Sequence, residues 1–410
     1  MLKKKYLFFL VHPSKYHVFK NTINILKSKG HTCEILITSK DVLEQLINNE
    51  GWNYTNIFPE GRKIKGIPTK LAAIYNAFRT VIRLNKFIGN KKYDLFITDD
   101  LLVINAWFSK TPCLLLQDDD ITVVPETQLL FFFSTRILSP TVSNMGKFNF
   151  KKIPFLGYKE LGGFHPKRFI PKYSIVERFN KTKKPYYIIR LVSLKSTHDV
   201  GKSGISNKDL KIIINNLQSK GGHVFITSER KLPQEFEQYR IEIKPNDISH
   251  AIYFAEFLIS DSQTMSAEAA ILGTPYIRFN DFVGKISYLN ELEMKYKLGV
   301  GVKTCQKQLL FDTVDSFLGN ENLKTEFIQK RDKMLSEKID LTAFLVWLFE
   351  DYKNRILDSA TPSFEKTMIE IALKHSHGRK RDAAILLGWG RNTLTRKMQE
   401  LDMSRSRSST

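Results

Sequence analysis

The stretch FLISDSQTMSAEAAILGTPYIRFN, residues 257–280, decides how the chain is read. An apolar run ends at Ser260–Asp261, and the polar residues Ser262, Gln263 and Thr264 follow. A helical pattern then starts with the small residues Ser266, Ala267, Ala269 and Ala270, stops at Gly273, and gives way to a second apolar run. A strand that passes through a short polar loop into a helix aims free backbone N–H groups, and the positive end of the helix dipole, at an anion. The small residues let a ligand approach the backbone, and Glu268 is placed to accept ribose hydroxyls. The plainer reading makes Ser262 or Thr264 an N-cap and Glu268 a solvent-facing carboxylate.

Outward from this stretch, the same alternation repeats. YYIIRLV (186–192), HVFITS (223–228), EFLIS (256–260) and YIRF (276–279) read as strands, with helices near 207–219, 247–255 and 265–272. An earlier series holds strands YLFFLV (6–11), EILIT (34–38), YDLFIT (93–98) and PCLLLQ (112–117), with helices at 18–29, near 41–49 and near 69–89. Strand–helix–strand at this spacing means parallel strands joined by crossover helices. The expected fold class is therefore α/β: two Rossmann-like domains, 1–160 and 175–355, facing a cleft. The Gly-, Pro- and aromatic-rich segment 157–174 connects them. Ligands of open α/β sheets sit beyond the carboxyl ends of the strands.

The 410 residues carry a formal net charge of +21. That surplus favours anionic partners: nucleic acid, nucleotide phosphates or an acidic membrane face. The three cysteines, Cys33, Cys113 and Cys305, have no metal or disulfide spacing, which points to a reducing cytoplasm. The opening MLKKKYLFFLVHPSK has an apolar run of six residues, too short for a secretory h-region, so it reads as a first strand. No later run is long enough for a transmembrane segment.

Chemistry-bearing residues gather at predicted strand ends. His12 and His17 follow the first strand, where an imidazole can act as general base or hold a phosphate. The run Asp118-Asp119-Asp120 follows another strand; Asp119 stands as a catalytic base, the three together could hold Mg²⁺, and the alternative is a solvated loop. Arg190 and Arg278 can pair with phosphates bidentately, or with a buried carboxylate. Asp247 reads as an N-cap rather than a catalyst. STHDVGKS (196–203) lacks the first glycine of a Walker loop and reads as a loop over the cleft.

The chain closes with GRKRDAAILLGWGRNTLTRKMQELDM, residues 378–403. A basic helix with Ala383–Ala384 is followed by a Gly-Trp-Gly turn and a helix from Arg391 that places Leu394, Met398 and Leu401 on one face. Arg391, Asn392, Thr393, Thr395, Arg396 and Lys397 lie mostly on the other faces, the composition a helix needs to meet phosphates and base edges of duplex DNA. The expected unit spans 361–403, with a helix over 363–375 before the hairpin and a disordered tail at 404–410.

The 260–275 stretch resembles the nucleotide-binding motif of UDP-N-acetylglucosamine 2-epimerases and related glycosyltransferases of the two-Rossmann GT-B type. More broadly, residues 1–350 resemble a family of uncharacterised GT-B-like proteins, through HPSKYHVFKN (12–21), GYKEL (157–161), HP (165–166), ITSE (226–229), DISHA (247–251), SDSQTM (260–265), AEAAILGTP (267–275) and FVGKIS (282–287). The resemblance implies a nucleotide-sugar ligand, UDP-linked, held by Ser262, Gln263, Thr264 and Glu268. This sequence departs from the epimerases, which have Ser-Gly-Gly where it has Ser262-Gln263-Thr264. Residues 362–403 resemble the Fis-type helix-turn-helix of nitrogen-regulation response regulators and of Fis, which implies dimerisation through 363–375 and binding to double-stranded DNA. The expected function is a GT-B-type nucleotide-sugar-binding protein, a glycosyltransferase or epimerase-like enzyme of glycan metabolism carrying a sequence-specific DNA-binding domain. The alternative is a non-catalytic regulator whose body senses the ligand. The pairing itself reads as a natural regulator, an enzyme with a DNA tether, or a fusion.

Overall fold

A computed structural model of the chain describes residues 2–39, 42–62, 69–193, 204–352, 356–401 and 403, with the backbone course alone at 69–70 and 356–363. The loop 196–203 and the tail 404–410 therefore lie outside the described residues. The chain divides into two compact units, Met1–Val346 and Trp347–Thr410.

The first unit holds two parallel sheets. One contains β1 (Lys5–Leu10), β2 (Thr32–Ile37), β3 (Thr55–Asn56), β4 (Leu95–Thr98), β5 (Cys113–Leu116), β6 (Arg136–Pro140) and β7 (Lys152–Phe155), in the order β3-β2-β1-β4-β5-β6-β7. The other contains β8 (Tyr186–Leu191), β9 (His223–Ser228), β10 (Leu258–Ser260), β11 (Tyr276–Phe279) and β12 (Val300–Val302), in the order β12-β11-β10-β8-β9. Every pairing is parallel, so helices must cover both faces, which is why Tyr6–Leu10 is fully buried rather than alternating. The strand order reverses between β1 and β4 in one sheet and between β8 and β10 in the other. Such reversals open a crevice at the carboxyl ends of the strands.

Strands β3, β6, β7 and β12 are not among the expected ones. β6 and β7 contain Pro140 and Pro154, and proline normally argues against a strand. β7 tolerates Pro154 because it is the edge of its sheet. β12 is three residues long and contains Gly301, where a Cβ would fall 2.3 Å from Glu293 Oε2.

The connector folds back on the first helix. Gly162 and Gly163, in the short helix Leu161–Phe164, lie against the backbone of helix Pro13–Ser28. A Cβ at Gly162 would come within 2.5 Å of the Val18 carbonyl oxygen, and one at Gly163 within 2.7 Å of that of His17. The Gly162 carbonyl accepts hydrogen bonds from Asn21 Nδ2 and Thr342 Oγ1, both at 2.9 Å. Only residues without a side chain permit this crossing, and it fixes Lys159 and Glu160 beside the end of β1.

In the second unit, helices Ile356–His375, Lys380–Leu386 and Arg391–Glu400 close around Met368, Ile369, Ala372, Ala383, Ala384, Leu394 and Met398. The first of them begins seven residues before the expected start. Gly378 and Gly388 take positive φ at the two helix ends, 80° and 66°, as tight reversals require.

Candidate functional site

The decisive turn forms as the sequence demands. β10 ends at Ser260, Ser262 caps helix Gln263–Leu272 by accepting the Met265 N–H at 3.3 Å, and Gly273 ends it at φ 79°. Ser260 Oγ accepts the Ser262 N–H at 2.8 Å, so the loop is held from both sides. Gln263 and Thr264 are half-buried in the first turn. Glu268 does not face solvent: it is 5% exposed.

Glu268 belongs to a group of ionisable side chains drawn from both sheets and the connector. Asp118, just beyond β5, meets Lys15 Nζ at 3.3 Å and also binds Lys159 Nζ. All three are buried. Burial alone would raise the Asp118 pKa, yet Lys159 and Lys15 hold it well below the usual carboxylate range. Lys159 lies 3.8 Å from Glu160 Oε1 and sits over the Tyr288 ring at 5.6 Å. Glu160 is buried, and neither carboxyl oxygen has a hydrogen-bond partner among the described residues. Burial pushes its pKa up to about 7, with Lys159 opposing. For Glu268, burial and then the proximity of Glu160 push the pKa up to about 8. Two ammonium groups around one carboxylate leave a net positive charge, while two carboxyls titrate near neutrality. This combination attracts an anion and can exchange protons with it at neutral pH.

The other expected residues take varied places. His12 caps helix Pro13–Ser28: its Nδ1 accepts the Ser14 N–H at 3.2 Å, which commits the lone pair a base would use. His17 packs against Tyr16 and Phe164, with ring centroids 5.1 and 5.2 Å away, and burial pushes its pKa down to about 4. Its conjugate acid is too strong for it to be an effective base at neutral pH. The three aspartates diverge. Asp118 takes the lysines, and Asp119 is partly exposed. Asp120 accepts from Asn144 N, Ser287 N and Ser287 Oγ at 2.8, 2.7 and 2.9 Å, tying the two sheet regions together. They do not converge to hold Mg²⁺.

Arg190, near the end of β8, pairs with Glu229 and sits close enough to Glu268 to oppose its pKa rise. Arg278 realises the buried-carboxylate alternative: Nε and Nη2 bind Glu293 at 2.7 and 2.9 Å, and Nη1 binds Asn280 at 3.2 Å. The guanidinium is fully buried at this ion pair rather than open to a phosphate. Lys15, Lys159 and Glu160 were not singled out from sequence, although HPSKYHVFKN and GYKEL contain them. A second missed carboxyl is Asp261. Its Oδ1 accepts the Val192 N–H at 2.7 Å, Oδ2 has no hydrogen-bond partner among the described residues, and burial pushes the pKa up to about 6.

Solved structures share this architecture. A putative UDP-N-acetylglucosamine 2-epimerase from Listeria monocytogenes superposes with TM-score 0.61 at 12% identity, covering 89% of this chain and 98% of that one. The S. aureus MnaA–UDP co-structure gives 0.59 at 13%, covering 87% and 97%. The calicheamicin glycosyltransferase CalG4 gives 0.55 at 11%, covering 87% and 100%. The body has the GT-B fold. At these identities the likeness is one of fold alone. Residues 361–401 match the model described as "Bacterial regulatory protein, Fis family". The C-terminal segment is also similar to the DNA-binding transcriptional regulator NtrC of Proteus hauseri, 59% identical over 49 residues, and of Escherichia coli K12, 56% over 48. Each match spans 12% of this chain and 10% of the regulator.

On the Fis-type helix Arg391–Glu400, Leu394 and Met398 face inward while Arg391, Asn392 and Arg396 are exposed. Thr393 and Thr395 are half-buried, and Thr395 Oγ1 is turned back onto the Arg391 carbonyl at 2.9 Å. Lys397 is not free on the outer face: it pairs with Glu365 at 2.8 Å. Among the described residues, no helix is long and apolar enough to cross a membrane.

Proposed function

We propose that the body binds a nucleotide-sugar, UDP-linked, in the cleft between its two sheets and acts on it as a glycosyltransferase or epimerase-like enzyme of glycan metabolism in the cytoplasm. The observation that carries this reading is the buried group in which Lys15 and Lys159 meet at Asp118, and Glu160 and Lys159 lie near Glu268 of helix Gln263–Leu272. The lysine pair suits a diphosphate, and Glu268 suits the ribose. Glu160 replaces His12, His17 and Asp119 as the proton-transfer group, because it is buried beside Lys159 and Glu268, its oxygens accept no hydrogen bond among the described residues, and its pKa lies near neutrality. The MnaA structure was determined with UDP, which supports the choice of base. A thermal-shift screen of the full chain against UDP-, GDP- and CMP-sugars tests it. A UDP-sugar should raise the melting temperature, since a ligand of the folded state alone stabilises it, and no response to any of them would refute the reading.

A second activity rests on the Fis-type unit. Exposed Arg391, Asn392 and Arg396 beside a packed Leu394–Met398 face favour insertion of this helix into the major groove, by a dimer formed through helix Ile356–His375. Arg391→Ala with Arg396→Ala should abolish duplex binding in a gel-shift assay. In the regulator alternative, nucleotide-sugar changes DNA affinity, and DNA must then change ligand affinity by the same factor.

A further inference from the structure

The outer helices of the first sheet carry a face that the cleft does not use. Helix Thr69–Ile88 buries Thr80, Leu84 and Ile88. Its opposite stripe, Leu71, Ile74, Tyr75, Phe78 and Ile82, is 49–68% exposed. Spacings of three, four and seven residues align these side chains along one line of the helix. Helix Leu102–Ser109 packs beside it, with Asn105 Nδ2 donating to the Val81 carbonyl at 3.0 Å, and adds Trp107 and Phe108 at 53% and 77% exposure. Helix Gln128–Phe133 adds exposed Phe132, whose ring centroid lies 5.8 Å from that of Trp107. Three neighbouring helices thus present one apolar patch to solvent, and patches of this kind mark interaction surfaces.

The charge around it narrows the partner. Residues 61–92 contain nine Lys and Arg and no Asp or Glu. Arg79 and Arg83 share one carboxylate, Glu60, which leaves their pair net positive. A symmetric contact with a second copy would set this cationic stretch against itself. A nucleic acid has no use for a wide face of Leu, Ile and Phe. An anionic bilayer suits both components: the apolar stripe enters the acyl boundary, the basic side chains meet the headgroups, and Trp107 and Tyr75 lie at the interface between them. We propose that this face docks the protein on an anionic lipid surface. It is a peripheral contact, made by folded helices. It is independent of what occupies the cleft.

Vesicle flotation of the full chain tests the proposal, with phosphatidylcholine alone and with phosphatidylcholine mixed with phosphatidylglycerol. The chain should float with the mixed vesicles and far less with phosphatidylcholine alone. Phe78→Ser with Trp107→Ser should reduce partitioning roughly tenfold or more, since two large apolar contacts are lost. Both residues are exposed, so the variant should keep the parent melting temperature. Arg391→Ala with Arg396→Ala should float like the parent, which separates this face from the DNA-binding unit. The proposal is overturned if the parent stays unbound, if it binds both vesicles equally, or if the Phe78/Trp107 variant still floats as well as the parent. A variant that instead changes the oligomeric state without affecting flotation would assign the face to a second copy.

Discussion

Replacing Glu268 by Gln should stabilise the protein at alkaline pH and leave it unchanged in acid. Glu268 titrates near 8 in the folded chain because it is buried beside Glu160, whereas in the unfolded chain it titrates near the ordinary glutamate value, about 4.3. Below the lower value it is protonated in both states, and burial costs little. Between the two, the unfolded chain releases a proton that the folded chain keeps, so stability falls as pH rises. Above about 8 the full cost of a buried charge is present. At roughly 1.4 kcal/mol per pH unit, the displacement corresponds to about 5 kcal/mol. Relaxation and water entry reduce this, leaving ~2–3 kcal/mol for the neutral amide to recover. The unit Met1–Val346 should unfold with an entropy of about 0.7 kcal/mol/K, at ~2.1 cal/mol/K per residue. The expected rise is therefore about 3–4 °C above pH 8 and none near pH 4, read by scanning calorimetry. The same substitution should weaken nucleotide-sugar binding. A pH-independent change, or a lower melting temperature in alkali, would refute the burial argument.

Other perturbations act on neighbouring features. Asp118→Asn leaves Lys15 and Lys159 buried without their counter-ion and should cost about 3–5 kcal/mol in urea melts at neutral pH. Because the Asp118 pKa is held low, the parent's advantage should be full above the ordinary carboxylate range and be lost progressively as pH falls through that range toward the lowered folded-state value. Gly162→Ala drives a methyl into the Val18 carbonyl and should lower stability by about 1–3 kcal/mol, seen as a lower melting temperature. Arg391→Ala alone should reduce the salt dependence of duplex binding by about one unit of slope if it holds a phosphate. Lys397→Ala should instead loosen the contact with Glu365 and lower the melting temperature of the C-terminal unit.

The sequence disclosed most of the frame because parallel strands buried on both faces are continuous apolar runs, and YLFFLV, HVFITS and YIRF need no context. It hid β6 and β7, where Pro140 and Pro154 mask strands that tertiary pairing supplies. At the site, Ser262 and Gly273 were readable because caps are local. The ionic cluster was not. Lys15 and Asp118 are 103 positions apart, and Lys159 and Asp118 are 41 apart. A lysine in an amphipathic helix normally points to water, so nothing local marks Lys15 as buried. Histidines at a strand end attract attention for their chemistry, yet His12 serves as a cap and His17 as a packed ring. In the C-terminal unit the inward Leu394 and Met398 were legible from spacing. Lys397 was not, because its partner Glu365 sits on another helix.

The most direct measurement is a calorimetric titration of the full chain with UDP-N-acetylglucosamine, repeated with Glu268→Gln and with Lys159→Met. The account predicts saturable binding at one site per chain, lost or much weakened in both variants while each remains folded. Binding that survives both substitutions, or no saturable heat from this sugar or from the GDP- and CMP-linked ones, would contradict it.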